Sequence, residues 1–263
     1  MGILNVTPDS FSDGGTFLDV AAAIAHARIM ASGGASLIDI GGESTRPGSQ
    51  PVPVNEQIAR VVPVIRAIRE QFGATISIDT GKAAVAEAAL DAGAMVINDI
   101  FAGRDDPELL ALAGRRAAPI ILMHMQGTPA SMQMNPIYND VVHEVIAFLR
   151  DRIAAANNAG IEPSNILIDP GIGFGKTVEH NLDLLRRLPE LKAFGRPLVV
   201  GTSRKGFIGK ITGEDLATGR LFGTAATVAW SVANGADLVR VHDVAQMSQV
   251  VRMIEAIQNK SAS

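Results

Sequence analysis

No cysteine occurs among the 263 residues, which removes disulfides, thiolate catalysis and cysteine-ligated metals from consideration. A reducing compartment fits that composition, and a cytoplasmic protein is expected. There is no basic excess either: Lys and Arg number 23 against 27 Asp and Glu, a net charge of −4. Nucleic-acid and membrane-surface binders normally carry surplus positive charge. Neither partner is expected, and any anion must be held by a few local groups. Apolar runs of the roughly 18 residues needed to span a membrane are missing, because Gly, Pro or a charge interrupts each one. Met1-Gly2-Ile3-Leu4 opens without a basic segment, an apolar core or a small-residue cleavage site, so export is not expected. His-Glu-x-x-His and comparable metal spacings are also missing, as are low-complexity linkers and internal repeats.

What the chain does contain is a rhythm. Eight times a short apolar, β-branched run stops at polar residues: at Asn5, at Asp39 to Glu43, at Asp79, at Asn98-Asp99, at His124, at Asp169, at Thr202 and at Arg240 to His242. Helical patterns near 19–33, 55–72, 82–92, 107–116, 138–159, 178–188, 215–234 and 244–258 separate most of them. Strand, polar loop and helix repeated eight times predict an α/β fold, a (β/α)8 TIM barrel with one functional face. A barrel of about 250 residues fills the length, so a single domain over 1–263 is expected. Apolar residues at 47% and charged residues at 19% suit one large core. Gly34-Ala35, Gly93-Ala94 and Gly235-Ala236 recur before strands and mark helix exits through a left-handed glycine.

Chemistry should sit in the long loops 6–18, 43–54 and 125–137, since connections at the opposite end are short. The first loop, Asn5 to Gly15, is rich in turn residues, but Asn5 at a strand end followed by hydroxyls and carboxylates also suits Mg²⁺, which takes few protein ligands beside a phosphate. In the second loop Arg46 lies between glycines, either as a solvated charge or as a phosphate clamp. Asp79, Asn98 and Asp169 end strands inside apolar runs, where a polar group needs partners. Together they suit the donor-rich edge of a heterocycle.

Asp169-Pro170-Gly171-Ile172-Gly173-Phe174-Gly175-Lys176-Thr177 fits neither the phosphate-loop nor the dinucleotide spacing; Phe174 is an apolar wall or a core residue. Ser203-Arg204-Lys205-Gly206 follows the seventh strand, where barrels often bind anions. Arg240 and His242, two residues apart, share one side of the eighth strand. His124 beside Met123 is expected behind the site, and His26, His143 and His180 on the surface.

These strings, with Gly42 to Gly48, Ser77-Ile78-Asp79-Thr80, Leu122 to Gly127 and Arg240-Val241-His242-Asp243, resemble the bacterial dihydropteroate synthase family in the same order from residue 1 to about 258. The resemblance implies joining of 6-hydroxymethyl-7,8-dihydropterin pyrophosphate to p-aminobenzoate, with release of pyrophosphate. It implies a pterin site at Asp79, Asn98, Asp169 and Lys205, with Met123 packing in the pocket and Arg240 stacking on the ring. Asn5, Arg46, Arg240 and His242 would surround pyrophosphate and Mg²⁺, with Asn5 as the metal ligand. Thr45, Pro47, Phe174, Ser203 and Lys205 would line the p-aminobenzoate site. Catalysis would rest on Asn5, Arg46, Asp79, Lys205, Arg240 and His242, with the first two loops closing over the substrates.

A homodimer through the later helices is implied as well. Drug-resistant relatives alter the second loop, so the intact Ser44-Thr45-Arg46-Pro47 makes a sulfonamide target the expectation. The runner-up is a pterin-dependent corrinoid methyltransferase module, which would have no pyrophosphate to clamp.

Overall fold

The computed structural model describes residues 1–7, 15–44, 49 and 51–258, with only the backbone at 15–19. Strands β1 (Gly2–Asn5), β2 (Ile38–Gly41), β3 (Ile76–Asp79), β4 (Val96–Asp99), β5 (Ile120–Met123) and β6 (Ile166–Asp169) lie parallel in chain order. The shorter β7 (Val199–Val200) pairs in parallel with β8 (Leu238–Val239). Two bridges complete the circle, Ile168 with Leu198 and Gly2 with Val241. At the second, Ile3 N–H donates to the Val241 carbonyl at 3.0 Å and Val241 N–H to that of Met1 at 2.9 Å. The result is the expected TIM barrel.

Its helices are α1 (Gly15–Ser32), α2 (Val54–Phe72), α3 (Ala83–Ala92), α4 (Glu108–Arg115), α5 (Val141–Asn158), α6 (Val178–Arg186), the single turn α7 (Leu188–Leu191), α8 (Gly206–Thr212), α9 (Leu221–Ala233) and α10 (Val244–Ile257). Gly34, Gly93 and Gly235 leave their helices at φ of 100°, 113° and 98°, as the Gly-Ala pairs predict. One boundary needs correction. The helix expected from 215 begins at Leu221, after a 3₁₀ turn at Ala217–Arg220, and α8 was not expected. Glycine at 206 and 209 lowers the helix propensity of that stretch. Packing requires it, because a Cβ at Gly209 would collide with the Glu214 carbonyl of the returning chain.

Alternation along the strands sorts side chains between two environments. Residues such as Ile38, Ile40, Ile76, Ile78, Ile97 and Ile120 face the helices and form the large outer core. Met1, Leu37, Val96, Ile121, Val199, Leu167 and Leu238 gather in a separate apolar cluster that plugs the barrel interior. Above this plug, at the carboxyl ends of the strands, the inward positions turn polar.

Candidate active site

A cleft of about 920 Å³ opens at that end. Asn5, Asp79, Asn98, Met123, Asp169, Phe174, Ser203, Lys205, Arg240 and His242 all line it. Residues from widely separated motifs therefore meet on one rim. Thr45, Arg46 and Pro47 lie outside the described residues, as does most of the first loop. The stems of the second loop are tied down: Val52 N–H and Gln57 Nε2 donate to the Glu43 carboxylate at 2.9 and 3.2 Å, and Ser49 Oγ to the Ser44 carbonyl at 2.5 Å.

At the floor sits a carboxylate outside the set that the sequence assigns to the site. Asp39, fully buried on β2, accepts from Ser77 Oγ at 2.6 Å, Asn98 Nδ2 at 3.0 Å and Arg240 Nε at 2.7 Å. Arg240 Nη2 also donates to Asp79 Oδ2 at 2.8 Å. A charge inside Leu37-Ile38-Asp39-Ile40 was the available signal, the same one that singled out Asp79 and Asp169. Asn98 turns one amide N–H to Asp39, which directs its Oδ1 away from that carboxylate. The Asn98 carbonyl oxygen is thereby oriented to accept.

Burial raises the Asp79 carboxyl above the usual range, with Arg240 pulling the other way and Asp39 adding to the rise. Burial also raises Asp169, against the backbone N–H of Gly171, which donates to Oδ1 at 2.6 Å. Opposite them burial, reinforced by Arg240, draws the Lys205 ammonium down to about 7. Lys205 Nζ stands 3.9 Å from the centre of the Phe174 ring, so Phe174 is a wall of the cleft rather than a core residue. Ser203 Oγ accepts the His242 backbone N–H at 3.1 Å and lies 2.9 Å from His242 Nδ1.

Other motif residues have structural work. Arg204 pairs with Asp243 through Nε at 3.0 Å and Nη2 at 2.5 Å, so its charge is already matched. Asp99 accepts the N–H groups of Phe101 and Gly103 at 2.8 and 2.6 Å and shapes the loop after β4. His124 is buried against Phe148 and Tyr138, behind the site as expected. His26 and His143 are exposed. His180 departs from expectation: partly buried, it shares a reciprocal cap with Thr177 at the start of α6.

Among the described residues no three His, Asp or Glu converge as a metal cage. Asn5 offers a single amide oxygen at the rim. The nearby Asp79 Oδ2 already accepts from Arg240 at 2.8 Å, which leaves the Asn5 oxygen as the protein donor. One such ligand fits a largely hydrated Mg²⁺ completed by substrate phosphate.

A family model described as pterin binding enzyme matches residues 1–242. The dihydropteroate synthase of Synechocystis is 50% identical over 257 residues, covering 98% of this chain and 89% of that protein. The chain belongs to the dihydropteroate synthase family. Members of this family are transferases, and solved relatives share the whole fold. Dihydropteroate synthase from Xanthomonas albilineans, solved with 4-aminobenzoic acid, is 47% identical with a TM-score of 0.93, covering 100% of this chain and 93% of that one. The Yersinia pestis synthase, solved as a sulfonamide drug complex, is 44% identical with a TM-score of 0.93, covering 98% and 94%. No helix among the described residues of this dihydropteroate synthase family member is long and apolar enough to cross a membrane.

Proposed function

We propose that the chain condenses 6-hydroxymethyl-7,8-dihydropterin pyrophosphate with p-aminobenzoate by a dissociative substitution, in which Asp79, Asn98, Asp169 and Lys205 read the pterin. The carrying observation is that acceptors from β3, β4 and β6 line one cleft together with the cations Lys205 and Arg240. A 2-amino-4-oxo ring edge offers adjacent N–H donors for Asp169 and Asn98 Oδ1 and a carbonyl for Lys205. Met123 packs against the ring, and Arg240, steadied by Asp39 and Asp79, lies along its face.

The bond from the pterin methylene carbon to oxygen breaks first, and pyrophosphate departs with the electron pair. His242 meets its growing charge. Ser203 Oγ, 2.9 Å from Nδ1, fixes the orientation of the imidazole ring. Arg46 from the second loop adds a guanidinium suited to phosphate. Mg²⁺ held through Asn5 would neutralise further charge on the leaving group. The ring shares the positive charge left on the methylene, and Asp79 stabilises it. The aniline nitrogen of p-aminobenzoate, whose ring would lie against Phe174 and Lys205 with Ser203, Thr45 and Pro47 completing the subsite, forms the new C–N bond and releases a proton to water.

Protein incubated with both substrates and Mg²⁺ should release one pyrophosphate per dihydropteroate formed. Pterin binding without release would overturn the synthase reading in favour of a binding or methyl-transfer module. Positional isotope exchange in labelled pterin pyrophosphate without turnover supports dissociation; its absence, with pyrophosphate free to rotate, contradicts it.

Lys205 also predicts a pH dependence. A pterin carbonyl selects the ammonium form, whose pKa in the free protein is about 7. Through Lys205, affinity therefore falls by up to about tenfold per unit above that pH, while the raised Asp79 and Asp169 carboxyls lose their charge and weaken binding on the acid side. Calorimetry from about pH 6 to 9 measures this, and Lys205→Met should flatten the alkaline limb alone.

The homodimer expected from the resemblance has support in the exposed Phe222 and Trp230 of α9 and Met253 and Ile257 of α10, on two helices that pack together. Sedimentation should give a dimer, and Phe222→Asp a monomer.

A further inference from the structure

The Gly171 to Lys176 stretch, which fits no nucleotide-binding pattern, contains a buried cation that the proposed reaction does not use. Lys176, 3% exposed, folds back beneath its own loop. Its Nζ lies 2.9 Å from the Gly171 carbonyl, 2.9 Å from the Phe174 carbonyl and 2.9 Å from His124 Nδ1. Burial draws the Lys176 pKa down to about 7, with Asp169 pulling it back up; in its charged form the ammonium has three protons, and these are three acceptors. His124 must then be neutral, with its proton on Nε2. Burial, followed by the charges of Lys176 and Arg104, holds the imidazole far below its ordinary pKa, which agrees with that tautomer.

Both carbonyls belong to residues next to the substrates. Gly171 N–H fixes Asp169 Oδ1 at 2.6 Å, so the Lys176 bond to the Gly171 carbonyl steadies the residue that orients this carboxylate. Phe174, held by its own carbonyl, presents its ring to Lys205 Nζ. The loop lies close against β5: Gly171 has φ of +67°, and a Cβ there would collide with the His124 carbonyl. Lysine thus clamps the same loop at two points and anchors it to His124, just after β5.

We propose that Lys176 is a positioning residue that joins the pterin-reading carboxylate Asp169 and the p-aminobenzoate wall Phe174 into one unit. This role rests on the synthase reading above. It separates Lys176 from Lys205, which meets substrate directly, and it predicts that the two subsites weaken together.

Lys176→Met retains the hydrocarbon stem and removes all three donors; Lys176→Gln keeps two. In folded Lys176→Met, the KM for p-aminobenzoate and the Kd for the pterin alcohol should both rise, each by roughly tenfold or more. Lys176→Gln should fall between Lys176→Met and the unaltered protein. ¹⁵N spectra should show an unprotonated His124 Nδ1 in the unaltered protein and loss of that fixed tautomer in Lys176→Met. A purely structural lysine would lower the melting temperature and leave both constants unchanged, which would overturn the proposal. A rise in only one constant would also overturn it. Should Lys176→Met fail to fold, Lys176→Gln and the His124 spectrum of the unaltered protein decide, and a protonated Nδ1 there counts against the clamp. Pterin binding and the spectrum need no turnover, so failure of the clamp is distinguishable from failure of the synthase reading.

Discussion

Asp39→Ala should lower folding stability by about 3–5 kcal/mol, the usual consequence of removing one partner from a buried ion pair. Asp39 is fully buried and accepts from Ser77, Asn98 and Arg240, so the substitution leaves two polar groups and half of a guanidinium without their acceptor. For a chain of this length the melting temperature should fall on the order of 10 °C. Asp39→Asn should cost less, since it retains one acceptor oxygen, but it frees Asn98 to turn its amide over. Pterin affinity should therefore drop in Asp39→Asn even where the protein remains folded. Losing the like charge should also lower the Asp79 pKa, because Asp39 contributes to its elevation. Differential scanning calorimetry checks the first effect. A melting temperature within about 2 °C of the unaltered protein would mean that Asp39 is not the hub of the barrel floor.

Asp169→Asn should preserve the fold and lose pterin affinity by about 10- to 100-fold, as expected for a hydrogen bond to a buried charged group. The amide oxygen can still accept from Gly171 N–H, so the turn after β6 survives. What disappears is the negative acceptor presented to the ring edge, replaced on one side by an N–H that opposes the ligand's own donors. Titration with the pterin alcohol isolates this effect from anything involving pyrophosphate. Arg46→Ala should behave differently, slowing turnover while leaving binary pterin binding nearly intact. Equal loss of both properties in both variants would contradict the division of roles.

The barrel was legible because strand ends alternate with helical patterns at a regular spacing, and Asp79, Asn98 and Asp169 stood out as polar groups in apolar runs. Bringing Arg240 and His242 to the same rim followed from their two-residue spacing. Helix α8 was hidden because glycine at 206 and 209 reads as loop, whereas the close approach of the 214–220 segment is what demands it. Asp39 was overlooked for a related reason. It lies two residues before its strand end, and only the closed barrel brings Arg240, from the far end of the chain, against it. Lys176 carried no local signal at all: its acceptors include a histidine that follows β5, and spacing along one loop cannot reveal that contact. Arg204 misled in the opposite sense, since its partner Asp243 follows the eighth strand.

The most direct test of two neighbouring subsites on one rim compares the affinity of the pterin alcohol with that of its pyrophosphate ester, measured by calorimetry with Mg²⁺ present, in Asp169→Asn and His242→Ala. Asp169→Asn should weaken both ligands by the same factor, leaving their ratio unchanged. His242→Ala should weaken only the ester, so the ratio falls. A ratio that changes equally in both variants, or in Asp169→Asn alone, would contradict a rim on which β3, β4 and β6 hold the ring while β1 and β8 take the leaving group.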